Sequence, residues 1–364
     1  MRFLHVGDVH LGAEPESGTD LGPLRRNEIW ETFRNIIEVC ERKQVDLLLL
    51  PGDLFHGQPL LREVKEVDYL FRHLTHTKVV MCAGNHDCLL PSSHYYDVTF
   101  PEHVTFLMDA HADSVFFPEL NTEVFGLSYE TRQISEARYD TIRSNTPEHI
   151  NILLAHGNIL CNDKSIPLHR GVLETAGFDY VALGHLHNRP EISKRIVYSG
   201  SPEPLNRGET GAKGYILGEI KKVGAGPSEM EWEFVPCARR EYVPLTLETT
   251  VQSTELSLCS ELLAAMQKRG LQHMYLVTLT GTRGQEIVWN TEALEELLKK
   301  QGANVIEISD ETIPDFPVEK LRAEQQDTLV GRFIERMEEV ESPELKKLAL
   351  QYGLQALLAR DERS

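Results

Sequence analysis

Two histidines separated by a single leucine, His185 and His187, close the apolar run VALGHLH at residues 181–187. In a strand, side chains alternate between faces, so both imidazoles project to the same side where the run stops. Four further apolar runs end in residues of the same kind. HVGDVHLG carries Asp8 and His10, and LLPGDLFHG carries Asp53 with His56 three residues on. CAGNHDC carries Asn85, His86 and Asp87, and LLAHGN carries His156. Taken singly, each has an ordinary structural explanation. Asp53 after Gly52 fits a turn or a helix cap, Asn85 and Asp87 fit a turn, and a lone histidine fits a hydrogen-bonded loop residue. Taken together, they bring carboxylates, an amide and imidazoles to one edge, which is costly away from water unless cations pair with them. The donors are oxygen and nitrogen with no thiolate, a set that suits two ions of Mn²⁺, Fe²⁺ or Zn²⁺ better than Ca²⁺.

Such an edge requires a sheet behind it. RFLHV (2–6), VDLLLL (45–50), KVVMCA (78–83), INILLA (150–155) and DYVALG (179–184) read as strands. Helical spacing separates them over 24–43, where Trp30, Phe33, Ile37 and Cys40 recur, over 61–74, and near 166–176. Strands alternating with helices, and themselves nearly continuous in apolar residues, predict an α/β fold with its sheet covered on both faces. Ligands of open α/β sheets collect beyond the carboxyl ends of the strands, where these motifs lie. Between 103 and 129, and again from 192 to 247, short strands follow one another without helices, which predicts a layered β-sandwich flanked by helices. After VPCARREYVPLTLE (235–248) the pattern changes to helix (254–269), strand (273–281), helix (291–300) and strand (304–309), a smaller α/β domain. Helices over 317–340 and 343–360 follow, the latter with Ser342 as N-cap and Pro343 at its first position. The predicted domains are 1–240, 241–312 and 313–364.

Composition narrows the setting. The 364 residues are 41% hydrophobic and 26% charged, ordinary globular values. Apolar runs such as LLLLP (47–51) fall far short of a membrane span, and the opening MRFLHVGD lacks a signal-peptide pattern. Cys40, Cys82, Cys88, Cys161, Cys237 and Cys259 show no CxxC spacing, so reduced thiols in a cytoplasmic protein are expected. Net charge is −19, from 56 acidic against 37 basic residues, which argues against broad attraction to nucleic acid.

The ordered series D-x-H, G-D, G-N-H-D, A-H-G and G-H-x-H resembles the calcineurin-like metallophosphoesterase superfamily over about the first 210 residues. The resemblance implies one metal held by Asp8, His10 and His187 and a second by Asn85, His156 and His185. It implies that Asp53 bridges the two and that His86 is the catalytic histidine. GDLFH (52–56) and YSGSPEPLNRGE (198–209) narrow the likeness to the DNA-repair exonuclease SbcD family, nuclease partners of SMC-like ATPases. RGETGAKG (207–214) departs from the best-known members and points to a divergent side branch. By this resemblance His56 positions the DNA strand and residues 241–312 correspond to a capping domain, while Asp87, the chain neighbour of His86, either assists substrate positioning or shapes its turn. The implied activity is a Mn²⁺-dependent DNA exonuclease and endonuclease of double-strand-break repair, with an SbcC-type ATPase as partner and a possible homodimer. A phosphatase or cyclic-nucleotide phosphodiesterase on small molecules is the alternative, and a non-catalytic scaffold on the same fold is a second. Apolar stripes at Val330, Phe333, Ile334 and Met337, and at Leu350, Leu354, Leu357 and Leu358, are expected either to dock the ATPase or to pack on each other or on the cap.

Overall fold

The computed structural model describes residues 1–161 and 164–361, in two compact units, Met1–Glu241 and Tyr242–Ser364. The first unit runs β1 (Arg2–His5), α1 (Leu21–Lys43), β2 (Leu47–Pro51), α2 (Leu61–Arg72), β3 (Lys78–Cys82), β4 (Val104–Phe106) and β5 (Asp113–Phe117). It continues through β6 (Thr122–Gly126), β7 (Ile150–His156), α3 (Arg170–Thr175), β8 (Tyr180–Gly184), β9 (Ile196–Tyr198), β10 (Gly214–Lys221) and β11 (Glu229–Pro236). Six strands form one sheet in the order β11-β10-β1-β2-β3-β4, and five form another in the order β5-β6-β7-β8-β9.

Alternation along the strands explains why two sheets stack. Leu47 and Leu49 of β2 join Phe3 and Val80 against Ile152, Leu154, Tyr180 and Ala182 of the second sheet. Their neighbours Leu48 and Leu50 face the other way, onto Ile29, Phe33 and Ile36 of α1 and Val64, Val67 and Phe71 of α2. On the far side of the second sheet, Leu153, Ala155, Val181 and Leu183 pack with Leu173 and Phe178. The architecture is therefore the layered sandwich flanked by helices that the sequence predicts. β1, β2 and β3 are mutually parallel, as are β7 and β8, so the carboxyl ends of each set lie together.

A histidine sits between the sheets. His5 is fully buried, with Nδ1 2.9 Å from the Tyr180 hydroxyl and Nε2 3.2 Å from the Leu183 carbonyl. Burial pushes its pKa from 6.5 down to about 3, only partly countered by the Leu183 carbonyl. The native imidazole thus stays neutral while the unfolded one takes up a proton below pH 6.5. Stability carried by the neutral form is complete above that pH and is lost progressively as pH falls toward 3. Between pH 6 and 4 the unfolding free energy of the native protein should therefore fall more steeply than that of His5→Asn. The difference in slope should approach one proton, about 1.4 kcal/mol per pH unit. Parallel slopes in denaturant titrations would show that His5 takes its proton in the folded state.

The second unit runs β12 (Tyr242–Thr249), α4 (Glu255–Arg269), β13 (Met274–Arg283), α5 (Thr291–Lys300), β14 (Asn304–Asp310) and β15 (Ile313–Pro314), then α6 (Val318–Glu324), α7 (Leu329–Met337) and α8 (Pro343–Asp361). β12, β13 and β14 are parallel and adjacent, and Leu258, Leu262 and Met266 of α4 with Leu294 and Leu298 of α5 cover them. The helix expected over 317–340 is interrupted at 325–328, because Thr328 begins a new helix by accepting the Gly331 amide on its hydroxyl at 3.4 Å. Val330, Ile334 and Leu354 are buried together, with Phe333, Leu350, Leu357 and Leu358 packed around them. Of the two alternatives expected for the apolar stripes, the structure has them packed on each other. Among the described residues no helix is long and apolar enough to cross a membrane. All six cysteines are free thiols.

Candidate metal centre

The loops leaving β1, β2, β3, β7 and β8 converge, and their backbones are held in uncommon conformations. Asp8 (φ 53°), His10 (52°), Asp53 (51°) and His185 (99°) are four of the eight non-glycine residues with positive φ among those described. Such conformations cost about 1 kcal/mol or more each and persist where the surroundings impose them. The packing is close enough to demand glycine. A Cβ on Gly84 would collide with Asp53 Oδ1 and stand 2.5 Å from the Asp53 nitrogen, and one on Gly52 would stand 2.6 Å from His156 Nδ1.

Hydrogen bonds then fix which atom each side chain presents. His156 Nδ1 lies 2.9 Å from the Pro51 carbonyl and donates to it, leaving the Nε2 lone pair facing Asn85 Oδ1 at 2.9 Å and Asp53 Oδ2 at 3.4 Å. His185 Nδ1 stands 3.1 Å from the same Asn85 oxygen. His187 Nδ1 meets Glu209 Oε1 at 2.8 Å, so its Nε2 is turned toward His10 Nε2, 2.9 Å away. His10 Nε2 is also 3.7 Å from Asp53 Oδ2. Both Asp8 oxygens accept the His185 amide, at 2.8 and 2.9 Å, and the ligand atoms of Asp8, His10 and His187 lie within 4.8 Å of one another. The structure thus gathers Asp8, His10 and His187 on one side and Asn85, His156 and His185 on the other. A single oxygen of Asp53 faces both groups. Asp8 also approaches His156, at 3.9 Å, but through the Nδ1 already committed to Pro51.

These donors fit divalent cations. Lone pairs set against lone pairs at hydrogen-bonding distance repel unless a positive charge lies between them. Donors about 2.1 Å from a shared ion stand roughly 3.0–3.4 Å apart, close to the separations within each group. The electrostatics agree. Burial raises the Asp8 carboxyl, against the pull of His156 and His187. Burial would raise Asp53 too, but His156, His10 and His86 hold it well below the usual carboxylate range. Against its own burial, His156 is pushed up to about 9 by Asp53 and then Asp8.

The remaining predicted residues separate by role. His86 sits at the mouth, half-buried, with its amide donating to Asp53 Oδ1 at 2.8 Å and its Nδ1 donating to the His56 carbonyl at 3.0 Å. That bond commits Nδ1 and leaves Nε2 outside it. His56 is exposed, its ring stacked on His86 with centroids 5.4 Å apart and its Nδ1 3.3 Å from His10 Nδ1. Asp87 is fully buried and accepts from the Gly84 and Phe55 amides and the Tyr95 hydroxyl, at 2.8, 3.2 and 2.8 Å. Of the two roles expected of Asp87, these inward bonds are those of a residue that shapes the loop carrying Asn85 and His86.

Sequence reasoning missed Glu209. This carboxylate is buried, and besides His187 it holds the Leu205 amide at 3.0 Å and lies 3.6 Å from Lys213 Nζ. By fixing the His187 tautomer it keeps Nε2 available as a donor, the usual service of a carboxylate behind a ligating histidine. Glu209 closes the segment YSGSPEPLNRGE, and nothing in its spacing from His187 marks it. Glu209→Gln is expected to lower metal affinity by about 10–100-fold at the His187 group and to leave the other group unchanged. Isothermal titration with Mn²⁺ reads both sites, and identical titration curves for native and variant protein would remove this role.

Residues 1–189 match the calcineurin-like phosphoesterase family. The chain belongs to that family, which indicates a metal-dependent phosphoester hydrolase. Among its relatives, the metallophosphoesterase YhaO of Bacillus subtilis (strain 168) is 26% identical over 329 residues, 82% of this chain and 76% of that one. The DNA double-strand break repair protein Mre11 of Methanopyrus kandleri is 29% identical over 271 residues, 65% of this chain and 56% of its own length. Mre11 of Aeropyrum pernix is 29% identical over 244 residues, 59% and 57% of the two chains. The chain thus spans little more than half the length of these Mre11 relatives.

Proposed function

We propose that the protein is a dinuclear phosphodiesterase that cuts DNA, as exonuclease and endonuclease, within a double-strand-break repair complex. The observation that carries the reading is the Asp53 oxygen turned to two donor groups, with the His86 ring beside them at an open mouth. The Mre11 relatives support DNA as the substrate. Asp8, His10, His187 and Asp53 would hold one cation and Asn85, His156, His185 and Asp53 the other, Mn²⁺ being the metal proposed. Two such ions supply electrophilic neutralisation of the phosphodiester charge.

The chain's own groups supply the rest. His86, tethered through Nδ1, carries on Nε2 the proton that the leaving oxygen takes as its bond to phosphorus breaks. Water adds its hydroxyl to phosphorus and gives up its other proton to solvent. His56, exposed beside His86, bounds the mouth and positions the strand. Glu209 and Asp87 hold the surrounding loops in register.

In this reading residues 1–240 form the nuclease domain, 241–312 the cap, and 313–364 the segment that meets an SMC-like ATPase. With Val330 and Ile334 buried, the docking face passes to Leu345, Leu348 and Tyr352, exposed at helical spacing on α8. Tyr352→Glu with Leu348→Glu should abolish co-purification with the ATPase without lowering the melting temperature. Retained co-purification would place the contact elsewhere.

A substrate panel tests the function. Mn²⁺-loaded protein should shorten linear DNA and hydrolyse bis(p-nitrophenyl) phosphate, with little action on p-nitrophenyl phosphate. Hydrolysis of monoesters or cyclic nucleotides with DNA left intact would replace the nuclease by a small-molecule phosphoesterase.

A further inference from the structure

We infer that a cationic groove running from the metal centre along residues 186–197 holds the nucleic-acid strand that continues past the scissile phosphodiester. The inference rests on the phosphodiesterase reading above and adds to it a site that selects a polymer. Three cavities adjoin one another there. The first, about 520 Å³, is walled by His185 and His187 at the metal centre and by Arg189. The second, about 410 Å³, shares His187 and Arg189 and reaches Phe234 on β11. The third, about 420 Å³, shares Arg189 and reaches Lys194 and Trp232. Arg189 lines all three. A fourth cavity continues from Lys194 to Arg195.

Among the described residues, three cations on this path have no acidic partner, whereas others in the same unit do. Arg25, Arg26 and Arg207, also in the first unit, are engaged by Glu203, Glu63 and Glu16 at 2.7, 3.5 and 3.0 Å. Among the described residues Arg189, Lys194 and Arg195 form no ion pair, although the chain as a whole carries a net charge of −19. Of the acids that line the groove, Glu209 is engaged by His187 and Glu174 by Arg170, which leaves Glu191 against three free cations.

Aromatic faces stand beside the cations. The Arg189 guanidinium lies 4.7 Å over the Phe234 ring, and the Trp232 indole is fixed by a 2.8 Å bond from Nε1 to the Lys194 carbonyl. Cations that track phosphates and rings on which any base can stack are the two elements of sequence-tolerant single-strand binding. A small phosphodiester occupies the metal centre alone, whereas a strand leaving it meets Arg189 first and Lys194 next.

Binding of a fluorescent oligothymidylate of 15 nucleotides to the full chain tests this, in Mn²⁺ and in a His86→Gln background so that the strand is not cut. Dissociation constants are read by anisotropy over a range of salt. Arg189→Ala with Lys194→Ala should weaken binding at least about tenfold and flatten the salt slope by about 1.4, two phosphates at roughly 0.7 each. Trp232→Ala should weaken binding at unchanged slope. Lys65→Ala, which removes an exposed cation of α2 that lines none of these cavities, should alter neither. Lys194→Glu, at an exposed position, gives an independent loss should the double variant melt early.

The inference is overturned if the double variant binds as the parent does, if Lys65→Ala weakens binding equally, or if the parent does not bind. Binding that depends on Arg189 and Lys194, in a chain that cuts no DNA with His86 intact, keeps the groove and removes the nuclease reading. Cutting that is indifferent to these substitutions does the reverse.

Discussion

Asp53→Asn is expected to weaken both metal sites and to reduce phosphodiester hydrolysis by three decades or more. The carboxylate Oδ2 is the one atom facing both His10 Nε2 and His156 Nε2, at 3.7 and 3.4 Å. Asparagine keeps the shape and can still accept the His86 amide, but it offers either a neutral oxygen or an NH₂ group in that position. The site then loses one of the two carboxylates among its predicted ligands, and each donor group loses its shared anion. Metals contribute several kcal/mol of charge stabilisation to phosphoryl transfer, and each 1.36 kcal/mol is tenfold in rate, so about 10³-fold is a lower bound. Elemental analysis should find one equivalent or less, against two in the native protein. His187→Ala should lose mainly the ion on its own side. Two full equivalents retained in Asp53→Asn would end the bridging assignment.

His86→Gln should behave differently, keeping both metals and losing about two to four decades of activity, the range of general acid catalysis by a positioned group. The reason is geometric. His86 Nδ1 is tied to the His56 carbonyl at 3.0 Å, its ring stands 4.8 Å from that of His10 between centroids, and it contacts Asp53 through its backbone amide rather than its imidazole. The amide bond to Asp53 survives the substitution. Esters with an activated leaving group, such as nitrophenyl esters, leave without needing a proton and should lose much less rate than DNA. Equal losses on both substrates would rule out the proton-donor role, and lost metal would move His86 among the ligands.

The parts of this site legible in the sequence are those set by strand geometry. Asp8, Asp53, Asn85 and His156 follow or close apolar runs that parallel strands require, whereas His185 and His187 lie beyond the end of β8, His185 with φ 99°, and are turned into the site by that loop rather than by strand alternation. What the sequence does not carry is contact across large separations. Glu209 and His187 meet only because the loop after β9 returns beneath the site. Asp87 follows His86 directly in the chain, yet its carboxylate turns inward to the Gly84 and Phe55 amides. The break at 325–328 escapes a periodicity reading because Val318, Leu321 and Val330, Ile334 keep a helical rhythm on both sides of it. The burial of Val330 against Leu354 is likewise a tertiary fact, since an amphipathic stripe reads alike whether it faces its own chain or a partner.

The central claim is that one carboxylate oxygen joins two metal ions, and an anomalous difference map from crystals soaked in Mn²⁺ tests it most directly. The account predicts two peaks about 3.5–4 Å apart, with Asp53 Oδ2 between them, Asp8, His10 and His187 on one ion, and Asn85, His156 and His185 on the other. A single peak, or two peaks that do not share Asp53, would contradict it.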